Sequence, residues 1–139
     1  MRVIVLVKAT AESEAGAPPS PGLLAAMARF NEELVEAGVL LAGDGLHPSA
    51  RGRRVILDGA ERRVVDGPFP PRELIAGFWL WQVRDMDEAV AWVKHCPNPM
   101  SGPCEIEIRP LFEPADFDAA LAPEVVALPL GAGGRQPAG

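Results

Sequence analysis

The run Ile75-Ala76-Gly77-Phe78-Trp79-Leu80-Trp81-Gln82-Val83 is a long apolar segment with three aromatic side chains, and it predicts a β-strand. Successive side chains of a strand point to opposite faces, so Trp79 and Trp81 share one face while Phe78 and Leu80 share the other. Residues 3–7 form a shorter apolar run rich in β-branched residues, which predicts a second strand that is apolar on both faces. A sheet built on two such strands must be covered on both of its sides.

Two amphipathic helices are predicted to cover one side of this sheet. Ser20 is a good N-cap with Pro21 in the first turn, and Gly38 ends the helix that follows. Its apolar face carries residues that recur at spacings of three and four: Leu23, Met27, Phe30, Leu34 and Ala37. Asp85 caps a second helix, which Pro97 stops. The segment before the first helix, residues 9–20, is predicted by its composition to be a loop.

The remaining segments complete an α+β architecture. The further predicted elements are a strand at residues 39–42, a hairpin of residues 53–57 and 62–65 around Asp58-Gly59, and a half-buried last strand within residues 104–109. This order of strands and helices predicts a ferredoxin-like α+β sandwich with both helices on one face of an antiparallel sheet. Since the helices cover only one face, we expect a second copy of the chain to cover the other, which gives a homodimer.

The chain has 139 residues, which is the size of one domain. We expect this domain to occupy residues 1–118. Residues 119–139 are expected to form a tail that is mobile after Leu130, because this end is rich in Pro, Gly and Ala. One short helical stretch is expected near residues 116–121.

Composition and charge exclude several classes of protein. The net charge of −6 is opposite in sign to that of most nucleic-acid-binding proteins, so we expect no nucleic-acid partner. The apolar run at residues 3–7 is too short for a membrane span or a signal peptide, so we expect a cytoplasmic protein with no membrane contact and with Cys96 and Cys104 reduced. With only two histidines the chain cannot hold a multi-histidine metal site, and we predict no metal and no cofactor.

Several motifs together resemble the YCII-related family, also called the DGPF-domain family. The central motif is Asp66-Gly67-Pro68-Phe69, followed at residues 72–79 by Arg-Glu-Leu-Ile-Ala-Gly-Phe-Trp. The supporting motifs are Lys8-Ala9-Thr10, Phe30-Asn31-Glu32-Glu33-Leu34, Gly43-Asp44-Gly45-Leu46, Cys96-Pro97-Asn98-Pro99-Met100 and Glu105-Ile106-Glu107-Ile108-Arg109-Pro110. The likeness covers residues 1–118. It implies a dimeric α+β barrel, with a cleft between the helices and the sheet or at the dimer interface.

The chain departs from the family pattern directly after the central motif. Family members usually carry Ala-Glu-Thr-Lys-Glu there, whereas this chain has Pro70-Pro71-Arg72-Glu73, one residue shorter. Arg72 takes the place of the Lys and keeps its charge, but a guanidinium does not act as a proton-transfer base. A mechanism that used that Lys therefore does not transfer to this chain.

Six residues are candidates for a functional site. Asp66 either fixes a turn through its carboxylate or acts as a general acid/base at the mouth of a cleft. Lys8, Arg72 and Glu73 are either solvated charges at strand ends or, if they converge, a group in which Lys8 and Arg72 hold a substrate carboxylate. Trp79 and Trp81 either build the core or the dimer interface, or stack on an aromatic ligand.

Three functions remain open from the sequence. The first is a lyase- or isomerase-type enzyme that acts on a small, aromatic or lactone-like acid, with Asp66 as the acid/base; relatives of the family that handle such acids imply this substrate class. The second is a binding or regulatory accessory protein that holds a small anionic or aromatic ligand without chemistry. The third is a structural dimerisation module. Convergence of Lys8, Asp66, Arg72 and Glu73 on one concave site favours the first two.

Overall fold

A computed structural model describes residues 1–117, and its strands and helices follow the predicted order apart from one short additional helix after the first strand. The strands are β1 (Arg2–Lys8), β2 (Leu40–Gly45), β3 (Arg53–Asp58), β4 (Glu61–Asp66), β5 (Ile75–Gln82) and β6 (Ile106–Pro110). The helices are α1 (Ala11–Glu14), α2 (Pro21–Glu36) and α3 (Met86–His95). Short 3-10 turns occupy Ser49–Arg51, Pro71–Glu73 and Pro114–Asp116.

Four strands form one antiparallel sheet in the order β2-β5-β1-β6. In the register of the two central strands, Val5 lies opposite Trp79 on one side and opposite Ile108 on the other. The α+β fold with an antiparallel sheet is confirmed, and its strand order is consistent with a ferredoxin-like arrangement.

The core lies between one face of this sheet and the helices α2 and α3. Val3, Val5 and Val7 of β1 alternate with half-buried residues and are buried, as are the two tryptophans of β5. Phe30 and Leu34 of α2 and Ala89 of α3 pack against them. Full burial of a side chain such as Leu34 stabilises the fold by about 1.5–3 kcal/mol relative to an exposed position. The opposite face carries Ile4, Leu6, Phe78 and Leu80, which are only half-buried.

The hairpin β3–β4 stands apart from the main sheet. It forms a two-stranded sheet of its own, and every residue of both strands is exposed. Asp58 pairs with Glu61, so the turn is centred on Gly59-Ala60, one residue later than predicted. Gly59 has φ +57, a left-handed conformation that glycine adopts without strain.

The structure corrects three predicted segments. Residues 9–20 are not all loop, because α1 begins there with Thr10 as N-cap: the Thr10 side chain accepts from the Ser13 N–H while Ser13 Oγ accepts from the Thr10 N–H. The strand predicted at residues 39–42 instead spans Leu40–Gly45, because its pairing with β5 continues past Ala42. Of the helical stretch predicted at residues 116–121, Asp116 ends a 3-10 turn and residues 118–121 lie outside the described part of the chain, as does the tail.

Candidate functional site

A cleft of about 1070 Å³ lies between α2, the β2–β5 side of the sheet and two loops. The first loop region runs from α1 to the start of α2, and the second is the segment at residues 98–101 that follows α3. The apolar lining comes from Val7, Ala17, Pro18, Pro19, Leu23, Met27, Leu40, Ala76, Phe78, Trp79, Pro99 and Met100. The cleft thus lies between the helices and the sheet, one of the two places that the family resemblance implies.

Trp79 forms a wall of the cleft, and its indole ring is fixed by its neighbours. The indole N–H donates to Oδ1 of Asn31 over 2.9 Å. Phe30 packs edge-on against the ring with centroids 5.7 Å apart. Gly43 lies directly under the ring, because a Cβ at this position would be 2.6 Å from Cδ1 of Trp79. Glycine at position 43 therefore leaves room for the indole ring, and the hydrogen bond to Asn31 fixes the orientation of the ring.

Two segments meet across the mouth of the cleft. Ser101 Oγ donates to the carboxylate of Glu12, and Thr10 Oγ1 lies 3.4 Å from Sδ of Met100. The segment around Ser101 is itself ordered by Asn98, whose side chain accepts from the Met100 N–H over 2.9 Å. These contacts hold the loop after α3 against α1 and so define one edge of the cleft.

The charged residues of the lining are two carboxylates, Glu12 and Asp44. No Lys, Arg or His is among the lining residues, although the part of the chain that is described carries cations elsewhere on its surface. Glu12 accepts a hydrogen bond from Ser101, whereas Asp44 takes part in no ion pair or side-chain hydrogen bond within residues 1–117. Asp44 is exposed at the border of the cleft, and it lies opposite Phe78 in the β2–β5 register, so its side chain shares the face of Phe78 and not that of Trp79.

The Asp-Gly-Pro-Phe segment lies at the base of the hairpin, outside the cleft lining. The side chain of Asp66 is 79% exposed and pairs with Arg53 at 3.1 Å. Gly67 approaches the Ser49 backbone so closely that a Cβ would be 1.8 Å from the Ser49 carbonyl oxygen. Phe69 donates its N–H to Ser49 Oγ over 2.9 Å. The segment therefore fastens the hairpin to the 3-10 turn at residues 49–51.

Glu14 extends this attachment to α1. Its carboxylate accepts from the Ser49 N–H over 2.9 Å and from the Ser49 hydroxyl. Arg54 covers the other side of the segment, since its guanidinium lies 3.9 Å from the Phe69 ring centroid and 3.1 Å from the Glu73 carboxylate. The hairpin base, α1 and one wall of the cleft are thus connected through Ser49.

Among the six candidate residues from the sequence, Trp79 lines the cleft. Trp81 is fully buried in the core, and its indole N–H has no partner within the described residues. Lys8 ends β1 and is half-buried, Arg72 is exposed in the 3-10 turn, and Glu73 pairs with Arg54. Asp66, Lys8, Arg72 and Glu73 are not among the residues that surround the cleft.

Sequence reasoning did not single out the polar residues Asn31, Glu12 and Asp44 as site residues. Asn31 carried a signal, because it follows Met27 by four positions and so continues the apolar stripe of α2 with a polar side chain. Glu12 and Asp44 carried none, because their places in the cleft depend on how α1 and β2 pack in three dimensions.

The two cysteines, Cys96 and Cys104, are free thiols near the end of α3 and the start of β6. Burial, and to a lesser degree the neighbouring Cys104, raises the pKa of the Cys96 thiol to about 11. Both thiols are therefore protonated at neutral pH and are weak metal ligands. Within residues 1–117 no group of three His, Cys, Asp or Glu side chains is arranged to hold a metal ion. None of the helices in the same range is long and apolar enough to cross a membrane.

Comparisons with known proteins agree with the resemblance seen in the sequence. A search of curated proteins found no match to the chain. The family model of the YCII-related domain matches residues 1–113, which is most of the chain and includes every element of the main sheet. The chain therefore belongs to the YCII-related domain family.

Proposed function

We propose that the protein binds a small organic molecule with an aromatic or other apolar ring in the cleft beside Trp79. The observation that carries the proposal is the cleft itself, about 1070 Å³ in volume, with an indole of fixed orientation on one wall. Ligand sites in proteins are typically concave, mostly apolar and about 300–1000 Å³ in volume, with a few polar groups that orient the ligand. Asn31, Ser13, Ser20 and Asn98 supply such polar groups here.

Binding without chemistry is the form of this function that the geometry supports best. An acid/base role for Asp66 in a lyase or isomerase reaction remains a prediction, and it requires a substrate held at the hairpin base. The carboxylate of Asp66 is exposed and ion-paired there, and it lies outside the cleft lining. Turnover that is lost in Asp66→Asn would support the enzymatic alternative.

The proposal includes a homodimer that buries the second face of the main sheet. Ile4, Leu6, Phe78 and Leu80 form an apolar patch at the centre of this face and are only half-buried. Packing two such faces against each other would give the dimeric barrel that the family resemblance implies.

The experiment that tests binding uses two probes, indole and 2-phenylethanol, measured by isothermal titration and by thermal unfolding. A probe at 100 times its Kd stabilises the folded state by about 2.7 kcal/mol, which raises the Tm by several degrees. The blocking variant is Leu23→Trp, because Leu23 lines the cleft and a larger ring there occupies its volume. We expect this variant to weaken probe binding at least tenfold.

The matched control is Leu24→Trp, the same substitution one position along α2. Leu24 is 57% exposed and is not a lining residue. Its binding should equal that of the wild type. The proposal is overturned if neither probe binds the wild type, or if both Trp variants bind the probes equally well.

A further inference from the structure

We infer that the cleft selects uncharged ring compounds that carry a carbonyl oxygen, and that the side-chain amide of Asn31 donates a hydrogen bond to this oxygen. This inference rests on the proposed function, because it names the ligand class of the same cleft. It keeps the aromatic ligand expected from the sequence and replaces the anionic group by a neutral acceptor. The argument concerns the orientation of the Asn31 amide, the other polar side chains of the lining, and the charges of the lining.

Trp79 determines which way the Asn31 amide faces. An indole N–H donates a hydrogen bond and cannot accept one, so the amide must turn its oxygen toward the ring. That oxygen accepts from the indole N–H over 2.9 Å. The amide nitrogen is bonded to the same carbon as the oxygen, and it therefore lies close to the edge of the indole. Its NH₂ group can only donate.

The amide nitrogen of Asn31 has no hydrogen-bond partner within residues 1–117. It is also accessible, because the side-chain polar atom in this range that is both buried and unpaired is Nε1 of Trp81. Asn31 is half-buried and lines the cleft. A ligand that packs on the indole of Trp79 therefore meets an unpaired donor beside the ring.

The other uncharged polar side chains of the lining are paired or exposed. Ser13 Oγ accepts from the Thr10 N–H and donates to the Thr10 carbonyl. The Asn98 amide donates through its nitrogen and accepts through its oxygen within its own loop. Ser20 is exposed at the start of α2. Asn31 thus supplies a half-buried donor that lacks a partner.

The charges of the lining favour a neutral oxygen over a carboxylate. No Lys, Arg or His is among the lining residues, so an anionic ligand gains no ion pair there. The charged side chains of the lining are those of Glu12 and Asp44, and both residues are acidic and exposed. A carboxylate loses more hydration than a carbonyl when it leaves water. Ketones, aldehydes and amides next to an aromatic ring are therefore the ligand class that fits.

The test compares two probes of opposite hydrogen-bonding character, titrated by calorimetry at pH 8. Acetophenone accepts a hydrogen bond and does not donate, whereas indole donates through its N–H and does not accept. The decisive variant is Asn31→Asp, which keeps an oxygen for Trp79 and replaces the donor by a second oxygen of a carboxylate, ionised at this pH. We expect it to weaken acetophenone binding at least tenfold, while indole binds no more weakly than to the wild type.

Gln82→Glu is the matched control, because it makes the same amide-to-acid change at an exposed residue outside the cleft lining. It should bind both probes as the wild type does. Benzoate resembles acetophenone in shape but carries a negative charge. It should bind the wild type at least fivefold more weakly than acetophenone, because the lining offers no cation.

A second measurement uses the wild type alone and does not depend on the folding of a variant. The sequence contains two asparagines, Asn31 and Asn98, so labelling with ¹⁵N-asparagine gives two side-chain amide groups in the NMR spectrum. Acetophenone should move the amide protons of Asn31 downfield, because they gain an acceptor. Those of Asn98 should stay in place, since that amide is already paired.

The outcomes separate this inference from the proposed function. The ligand class is wrong, while small-molecule binding stands, if indole binds and acetophenone does not, or if Asn31→Asp weakens both probes equally or neither. It is also wrong if benzoate binds as tightly as acetophenone, or if acetophenone leaves the amide protons of Asn31 in place. If acetophenone, indole and 2-phenylethanol all fail to bind the wild type, or if binding survives Leu23→Trp, the proposed function fails as well.

Discussion

The indole of Trp79 shows how one polar residue on an apolar helix face can order a binding surface. Asn31 accepts a hydrogen bond from the indole N–H over 2.9 Å, and it is half-buried while Trp79 is buried. Replacement by Leu fills the space but leaves the N–H without a partner. We expect Asn31→Leu to lower the free energy of unfolding by about 1–3 kcal/mol, measured by urea denaturation. Probe binding in the cleft should weaken as well, because the ring is no longer held in one orientation.

Asn31→Asp is the comparison for this prediction, since Asp keeps an acceptor oxygen at the same distance along the side chain. It should lose less stability than Asn31→Leu. Equal losses would show that the hydrogen bond to Trp79 contributes nothing and that packing alone orders the indole.

At the scale of single residues the sequence predicts the face of a side chain better than its role. Alternation along β5 placed Trp79 and Trp81 on one face, and both indeed point into the helix-covered side. Their ring centroids are only 5.7 Å apart, yet Trp81 is fully buried while Trp79 borders the cleft. The difference in their surroundings depends on how α2 and the loops pack over β5, which leaves a cleft beside Trp79. That is a tertiary property, which strand periodicity does not contain.

The hairpin is attached at its base through several contacts, of which the approach of Gly67 to Ser49 is the closest between backbones. A Cβ at Gly67 would be 1.8 Å from the Ser49 carbonyl oxygen, so the backbone of any other residue must move. We expect Gly67→Ala to detach the hairpin base and to lower the free energy of unfolding by about 1–3 kcal/mol, as overpacking does elsewhere. Urea denaturation measures this loss, and faster amide exchange in β3 and β4 would locate it.

Gly45→Ala is the matched control, because a Cβ at Gly45 meets nothing within 4 Å. Its stability should stay within about 0.5 kcal/mol of the wild type. A Gly67→Ala protein as stable as this control would contradict the attachment described here.

At the scale of elements, long periodic segments were predictable and short ones were not. The N-cap of α2 at Ser20 is confirmed, because its side chain accepts from the Leu23 N–H as capping requires. The four-residue helix α1 escaped prediction because it is too short to show an apolar period. Its capping pair, Thr10 with Ser13, uses a Ser where the usual signature has Glu or Gln. The part of the cleft wall that α1 supplies could therefore not be predicted from the sequence.

At the scale of the whole molecule, the second face of the sheet supports a testable prediction of assembly. We expect light scattering after gel filtration to give twice the chain mass of 14.8 kDa at micromolar concentration. Leu80→Glu places a charge in the apolar patch of this face and should yield monomers, because an unpaired buried charge is costly at an interface.

Leu57→Glu serves as the control, since Leu57 lies on the separate hairpin and is 67% exposed. It should leave the mass at that of a dimer. A wild-type protein that elutes with the mass of one chain would contradict the dimer. If Leu57→Glu dissociates and Leu80→Glu does not, the two chains associate through the hairpin and not through the sheet face.

The way the hairpin joins the main sheet also matters for protein engineering. The chain leaves the sheet after Gly45 and returns at Ile75, and Gly45 is the direct partner of Gly77 in the register of β2 and β5. The Leu46 N–H donates to the Ala76 carbonyl over 2.8 Å, so the two ends of the excursion are already tied together. The tip of the hairpin is accordingly a suitable site for inserting a peptide. An epitope or a reporter peptide inserted between β3 and β4 alters the length of the excursion but not the gap that the sheet has to close.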